Sequence, residues 1–166
     1  MVHSSKQSEA PSNSQTQNIV DETKSLAESS CDKGLKQFGL SKKEKIKSKK
    51  EFDLVYSTGE FIISPSQKLK ALFLIDRTSG SAGVKTAYAV SRKAGNAVWR
   101  NRVKRLLRES YRLNKKQMIE DCSGKEINLF LVFSAYGINQ RKNKKIFLRE
   151  IMPDVFDLMN SIRAKF

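Results

Sequence analysis

The chain has 166 residues, with 32 Lys+Arg against 17 Asp+Glu, a formal charge of +15 and 39% hydrophobic residues. That length fits one domain plus a tail, and so basic a balance points to a polyanionic partner, since each phosphate neutralised releases a condensed counterion. The best apolar run, Ile127–Ala135, is far short of the ~20 residues a membrane-crossing helix needs, and polar Met1–Ala10 has no apolar stretch of a signal peptide, so a cytoplasmic protein with no membrane partner is expected.

Met1 to Gly34 is rich in Ser, Gln, Asn and Thr and poor in large apolar residues, which predicts a disordered polar tail. Three lysines (Lys6, Lys24, Lys33) meet five acids there (Glu9, Asp21, Glu22, Glu28, Asp32), so the tail carries −2 and the domain over residues 35–166 carries +17. The domain opens on a lysine-rich stretch that includes Lys42, Lys43, Lys45, Lys47, Lys49 and Lys50. A short helix is predicted over Lys49–Thr58, with Phe52, Val55 and Tyr56 on one side and a stop at Thr58-Gly59. Strands are predicted over Phe61–Ser64, Leu69–Asp76 and Lys85–Ser91, with a glycine-containing turn at Arg77–Gly83. Asn96 is a suitable N-cap for a long helix over Ala97–Met118. A loop at Asp121–Lys125, a buried strand at Glu126–Ser134 and a helix over Asn143–Ile162 follow, the last expected to kink or split at Pro153. The order α-β-β-β-α-β-α predicts an α+β sandwich with helices packed on a four-stranded sheet.

Counting residues removes several chemistries. His3, the one histidine, lies in the tail, so the domain cannot carry a Ser-His-Asp triad or a histidine metal site. Cys31 and Cys122 form no C-x-x-C pair and read as reduced thiols. The acids Asp53, Asp76, Glu109, Glu120, Asp121 and Asp154 show no paired pattern of the kind a two-metal nuclease needs. A catalytic residue is therefore not expected in this chain, nor a metal of its own.

The long helix is where the charge becomes informative. At 100° per residue, Trp99, Val103, Leu106, Leu107 and Ser110 share one side, and Arg100, Asn101, Arg102, Lys104, Arg105, Arg108 and Arg112 occupy the rest. Like charges repeat at i, i+4 (Arg100–Lys104, Lys104–Arg108, Arg108–Arg112), each pair costing a few tenths of a kcal/mol. A solvated face usually mixes signs. This one fits a phosphate partner, and arginine suits bidentate phosphate contacts.

The stretch Ala89–Glu109 (AVSRKAGNAVWRNRVKRLLRE) resembles the signature of the bacterial ribonuclease P protein, in which Ser-basic-basic-x-Gly-Asn-Ala-Val runs into Arg-Asn-Arg-x-Lys-Arg-x-x-Arg. A weaker likeness in element order extends from about Leu40 to Ile162, and the tail has no counterpart. The resemblance implies a sheet similar to domain 2 of ribosomal protein S5, with a left-handed β-α-β crossover through the signature helix, opposite to the general rule. It implies that Arg92, Lys93, Asn96, Arg100, Asn101, Arg102, Lys104, Arg105 and Arg108 bind the catalytic RNA subunit. It also implies that Phe52, Tyr56 and Phe73, with Lys45, line a cleft for the single-stranded 5′ leader of precursor tRNA. Periodicity alone would leave Phe52 and Tyr56 as ordinary core residues. Phosphodiester hydrolysis and its Mg²⁺ would then belong to the RNA–protein holoenzyme, with no cofactor on the protein alone.

A non-catalytic ribosomal or assembly protein using the same helix on ribosomal RNA is the alternative. A DNA-binding regulator has less support, since neither helix-turn-helix spacing nor a dimerisation zipper is present. A free-standing protein nuclease would need the converging acids that the sequence lacks.

Overall fold

Phe52, Val55 and Tyr56 do lie on a short helix, α1 (Lys49–Thr58), whose Val55 is fully buried. The computed structural model describes residues 39–78, 80 and 82–166; the predicted tail, with His3 and Cys31, and the boundary at residue 35 lie outside them. Gly59 ends α1, its N–H donating to the Val55 carbonyl at 3.1 Å. A Cβ at Gly59 would stand 2.4 Å from that oxygen and 2.9 Å from the Phe73 carbonyl, so only glycine lets the chain turn here.

Strands β1 (Glu60–Ile63), β2 (Leu69–Asp76) and β3 (Gly83–Ala89) follow, then a 3₁₀ turn at Arg92–Ala94, helix α2 (Ala97–Gly124), strand β4 (Asn128–Ala135) and helix α3 (Leu148–Arg163). The sheet order is β1-β2-β4-β3. Strand β4 runs antiparallel to β2 and parallel to β3, so β3-α2-β4 is the β-α-β crossover that the resemblance implies. The open edge of β3 is partly covered by the chain before α1: the Ile46 N–H donates to the Thr86 carbonyl at 3.0 Å, and the Thr86 N–H to the Glu44 carbonyl at 2.8 Å.

Register divides the sheet into two faces. Leu72, Val132 and Ala87 are neighbours across the strands, as are Leu74, Phe130 and Lys85. This face packs under α1, where Val55 meets Leu72, Phe130 and Val132 in one cluster. Phe73, Leu131 and Thr86 belong to the other face, together with Ala71 and Phe133. That face joins Trp99, Val103, Leu107 and Tyr111 of α2 and Val155, Leu158 and Ile162 of α3 in the main core. Strand β4 lies between two strands and under helices on both sides, which explains why its apolar residues run without alternation.

Two helix boundaries differ from the sequence-based expectation. Helix α2 continues past Met118 and through most of the predicted loop, because Met118 and Cys122 stand at i, i+4 and both are fully buried. Helix α3 starts at Leu148, five residues later than expected. The Asn143 carbonyl accepts from Trp99 Nε1 at 2.8 Å and the Ile146 carbonyl from Arg102 Nε at 3.2 Å, so those acceptors serve α2 and not a helical ladder. Pro153 sits inside α3 without splitting it. The carbonyl that loses its donor belongs to Arg149; both residues are exposed, which leaves that oxygen to solvent. Among the described residues, no helix is long and apolar enough to cross a membrane.

Leu107 has no exposed surface and sits where α2 meets the sheet and α3. Leu107→Ala is expected to lower stability by about 2–5 kcal/mol in denaturant titrations. A loss well below 1 kcal/mol would contradict this packing. A second expectation concerns alkaline pH. Burial pushes the Cys122 thiol up to about 11 and the Tyr88 phenol up to about 12, from ordinary values of 9.0 and 10.0. A raised folded-state pKa gives stability that is full below the unfolded value and lost as pH rises through the folded one. Stability should therefore hold to about pH 9 and fall between 9 and 12, with Cys122→Ala delaying the onset; a curve flat to pH 12 would contradict the assignment.

Candidate nucleic-acid interface

The start of α2 is fixed from several directions. Asn96 caps it, its side-chain oxygen accepting from the Trp99 N–H at 2.9 Å. Trp99 is buried in the main core, and its ring N–H reaches the loop after β4 at Asn143. Gly95 lies so close to that loop that a Cβ would stand 2.8 Å from Gln140 Cβ and 3.0 Å from the Trp99 ring. Trp99, Val103, Leu107 and Ser110 are buried as the helical projection predicts, while Leu106 is half-buried.

With that side held, Asn101, Arg105 and Arg108 stand exposed at i, i+4 and i+7 and form one outward ridge. Asn101 and Arg105 border, with Val98 and Arg102, a shallow groove of about 370 Å³. Arg108 is steadied by Tyr88, its guanidinium carbon 5.6 Å from the ring centroid. Arg102 is drawn sideways by the Ile146 carbonyl and lies 5.9 Å from the Phe147 ring. Arg100 and Lys104 are half-buried on the flanks. Arg92 and Lys93 are exposed in the 3₁₀ turn that leads into the ridge. No acid occurs between Arg77 and Arg108, and Glu109 is bound to Arg112 at 2.9 Å. That hydrogen bond from Arg112 also holds the Glu109 carboxyl below its ordinary range. The ridge therefore presents one sign of charge to solvent.

The structure leaves Asn96 exposed, with its side-chain oxygen in the helix cap, and corrects the sequence-based reading at one residue, Phe73. Phe73 was expected beside Phe52 and Tyr56. It is only 2% exposed and lies on the opposite face of the sheet, in the core under α2 and α3. Its neighbour Leu72 takes the α1 face, because residue parity along β2 is set by pairing with β1 and β4.

Phe52 and Tyr56 are brought together, their ring centroids 4.7 Å apart, with Tyr56 47% exposed. Two residues not expected at this face from sequence, Phe61 (which reads as core or rim) and Lys70, share their side of the sheet. Phe61 pairs with Leu72 across β1 and β2 and is 58% exposed. Lys70 follows the same parity, and its ammonium lies 4.2 Å from the Phe61 ring centroid. The available signal was parity: Phe61 and Lys70 follow the Leu72 face once the register is known. Lys45 is exposed and bridges Thr86 at the edge of β3, close in sequence to α1. The α1 face thus offers stacking surfaces with an adjacent cation, and the α2 ridge offers cations with a rigid spacing.

Among the described residues, no group of three or more His, Cys, Asp and Glu comes together in a way that could hold a metal ion. Glu44 pairs with Lys115 at 2.7 Å, Glu51 with Lys85 at 2.7 Å, and Asp121 with Arg163 at 2.5 Å. Asp154 is buried and accepts from Ser66 Oγ at 2.6 Å.

Comparison with known proteins bears on this arrangement. A family model described as Ribonuclease P matches residues 40–150. A ribonuclease P protein component from Clostridium novyi is 35% identical over 120 residues, covering 72% of this chain and 94% of that protein. One from Maridesulfovibrio salexigens is 39% identical over 82 residues, covering 49% of this chain and 64% of its own length. Among solved structures, the RNase P protein from Thermotoga maritima aligns with a TM-score of 0.56 at 19% identity, covering 71% of this chain and 96% of that one. The Staphylococcus aureus RNase P protein gives 0.55 at 18% identity, covering 72% and 94%. These two structures share the fold, and the family model with the Clostridium novyi relative fixes the kinship: the chain belongs to the ribonuclease P protein family.

Proposed function

We propose that this chain is the protein subunit of a ribonuclease P particle, binding the catalytic RNA through α2 and the 5′ leader of precursor tRNA through the α1 face. The observation that carries this reading is the unbalanced ridge of Asn101, Arg105 and Arg108, held rigid by a buried stripe on the same helix. Arginines at fixed spacing can match phosphates along an RNA backbone, and the counterions released add to affinity. Arg92, Lys93, Arg100, Arg102 and Lys104 widen the same surface.

On the α1 face, Phe52, Tyr56 and Phe61 can take unpaired bases while Lys70 holds phosphates, with exposed Lys45 at the nearby sheet edge adding positive charge. Stacking of this kind contributes about 1–3 kcal/mol per base and needs no fixed sequence, which suits leaders of differing sequence. Cleavage of the leader phosphodiester would be carried by the RNA subunit with Mg²⁺ required by the holoenzyme. Support comes from four carboxylates that are already engaged, Glu44, Glu51 and Asp121 by lysines or arginine and Asp154 by Ser66, and from the absence of a converging acidic group among the described residues. The protein's part is to hold the leader, favour precursor over product, and screen the repulsion between two RNAs.

Reconstitution tests the proposal. Adding the chain to a bacterial ribonuclease P RNA should lower the Mg²⁺ concentration needed for precursor tRNA cleavage. An unchanged Mg²⁺ requirement would favour the ribosomal or assembly role. The aromatic face has its own test. Phe52→Ala with Tyr56→Ala should weaken precursor binding by roughly tenfold or more, from two lost stacking contacts, and leave mature tRNA binding nearly unchanged. Equal losses for both RNAs would remove the leader assignment. Phe73→Ala should instead cost about 3–5 kcal/mol of stability, as for a buried aromatic, and should not change the ratio of precursor to mature tRNA affinity.

A further inference from the structure

The loop between β4 and α3 carries Arg141, Lys142, Lys144 and Lys145 within five residues, and no acid occurs from Ile127 to Arg149. A solvated basic loop would be free to move away from other cations. This one is fastened against the start of α2. The Gln140 N–H donates to the Ala94 carbonyl at 2.7 Å, and the Gln140 side-chain oxygen accepts from the Asn96 N–H at 2.8 Å. Trp99 and Arg102 hold the carbonyls of Asn143 and Ile146. Inside the loop, Asn139 accepts from the N–H groups of Lys142, at 2.9 Å, and Asn143, at 2.8 Å. Four hydrogen bonds thus hold a basic loop up to a basic turn and the start of α2, and two more shape the loop itself.

The result is a groove of about 710 Å³ bordered by Lys93 on one wall and Arg141 and Lys144 on the other, with Gly95, Asn139 and Gln140 along it. That volume exceeds what a small ion needs and falls within the range of pockets that accept a nucleotide-sized ligand. No carboxylate pairs with Lys93, Arg141 or Lys144 among the described residues. Bringing these cations together against mutual repulsion is favourable once an anion lies between them.

We infer that this groove is a further RNA-binding site, in which Lys93, Arg141 and Lys144 grip consecutive phosphates of a backbone crossing between the 3₁₀ turn and the β4–α3 loop. The inference rests on the proposed function for the identity of the RNA, but the groove's chemistry requires only a phosphodiester chain. It extends the cationic surface from α2 onto an element that the family signature does not include. The strand could belong to the catalytic RNA or to precursor tRNA, and the test separates them.

The experiment uses the full chain carrying Arg141→Gln and Lys144→Gln, with Lys116→Gln and Lys125→Gln as a control of equal charge change at the far end of α2. Thermal unfolding of both variants should match the parent, since all four side chains are exposed. Affinity for a ribonuclease P RNA transcript is then measured across a salt series. Loss of two phosphate contacts should weaken binding about tenfold or more at low salt and make the salt slope shallower by about 1.5, with little change in the control. Intact affinity for the RNA transcript together with weakened precursor binding by the holoenzyme would place the strand in precursor tRNA and also support the site. Unchanged binding of both RNAs, or an equal loss in the control, would overturn it. Failure of the parent chain to prefer ribonuclease P RNA over other structured RNA would count against the proposed function alone, because the parent-to-variant difference in salt slope is read on whichever RNA binds.

Discussion

Burial of one stripe of α2 is the constraint on which the rest of the molecule depends. Trp99, Val103, Leu107, Tyr111, Met118 and Cys122 leave almost no surface to water. Each large apolar side chain contributes about 1.5–3 kcal/mol on burial, whereas each like-charge i, i+4 pair on the outer side costs a few tenths. Burial therefore exceeds repulsion by a wide margin, and the helix can carry cations that its isolated sequence would disfavour. The same anchoring fixes their spacing, which a flexible basic segment could not do.

The sheet then separates two kinds of chemistry. Alternation along β2 and β4 sends Leu72, Leu74, Phe130 and Val132 toward α1 and Phe73, Leu131 and Phe133 toward α2 and α3. Charge dominates the α2 ridge, whereas the α1 face presents exposed aromatic rings with Lys70 beside Phe61. A subunit that must hold a large folded RNA and a short single-stranded segment together is served by two surfaces that differ in this way. The β4–α3 loop joins this design through Gln140, Asn143 and Ile146, whose backbone or side-chain groups bond to the start of α2.

Much of this was legible in the sequence because the signals were local. The extents of α1 and β2, the N-cap at Asn96 and the buried side of α2 follow from short-range periodicity and capping chemistry. What failed was non-local. In an uninterrupted apolar run such as Ala71–Ile75, periodicity does not tell whether Leu72 or Phe73 faces α1; pairing with β1 and β4 decides it. The start of α3 moved because Trp99 and Arg102, more than forty residues away in sequence, take carbonyls from the segment before it. Phe61 reads from sequence as core or rim and Lys70 sits in no motif; only register puts them with Phe52 and Tyr56.

The central claim is that the two faces meet different RNAs. Cleavage of RNA by a chelated iron tethered to single cysteines tests it most directly, in a Cys31→Ser background where Cys122 is buried and inaccessible. Val98→Cys places the reagent beside the α2 ridge and Ser57→Cys places it beside Tyr56, both at exposed positions. In the assembled holoenzyme with precursor tRNA, the reagent at residue 98 should cut the catalytic RNA and the reagent at residue 57 should cut the 5′ leader. Cleavage of the same RNA segment from both positions, or leader cleavage from residue 98 alone, would contradict the account.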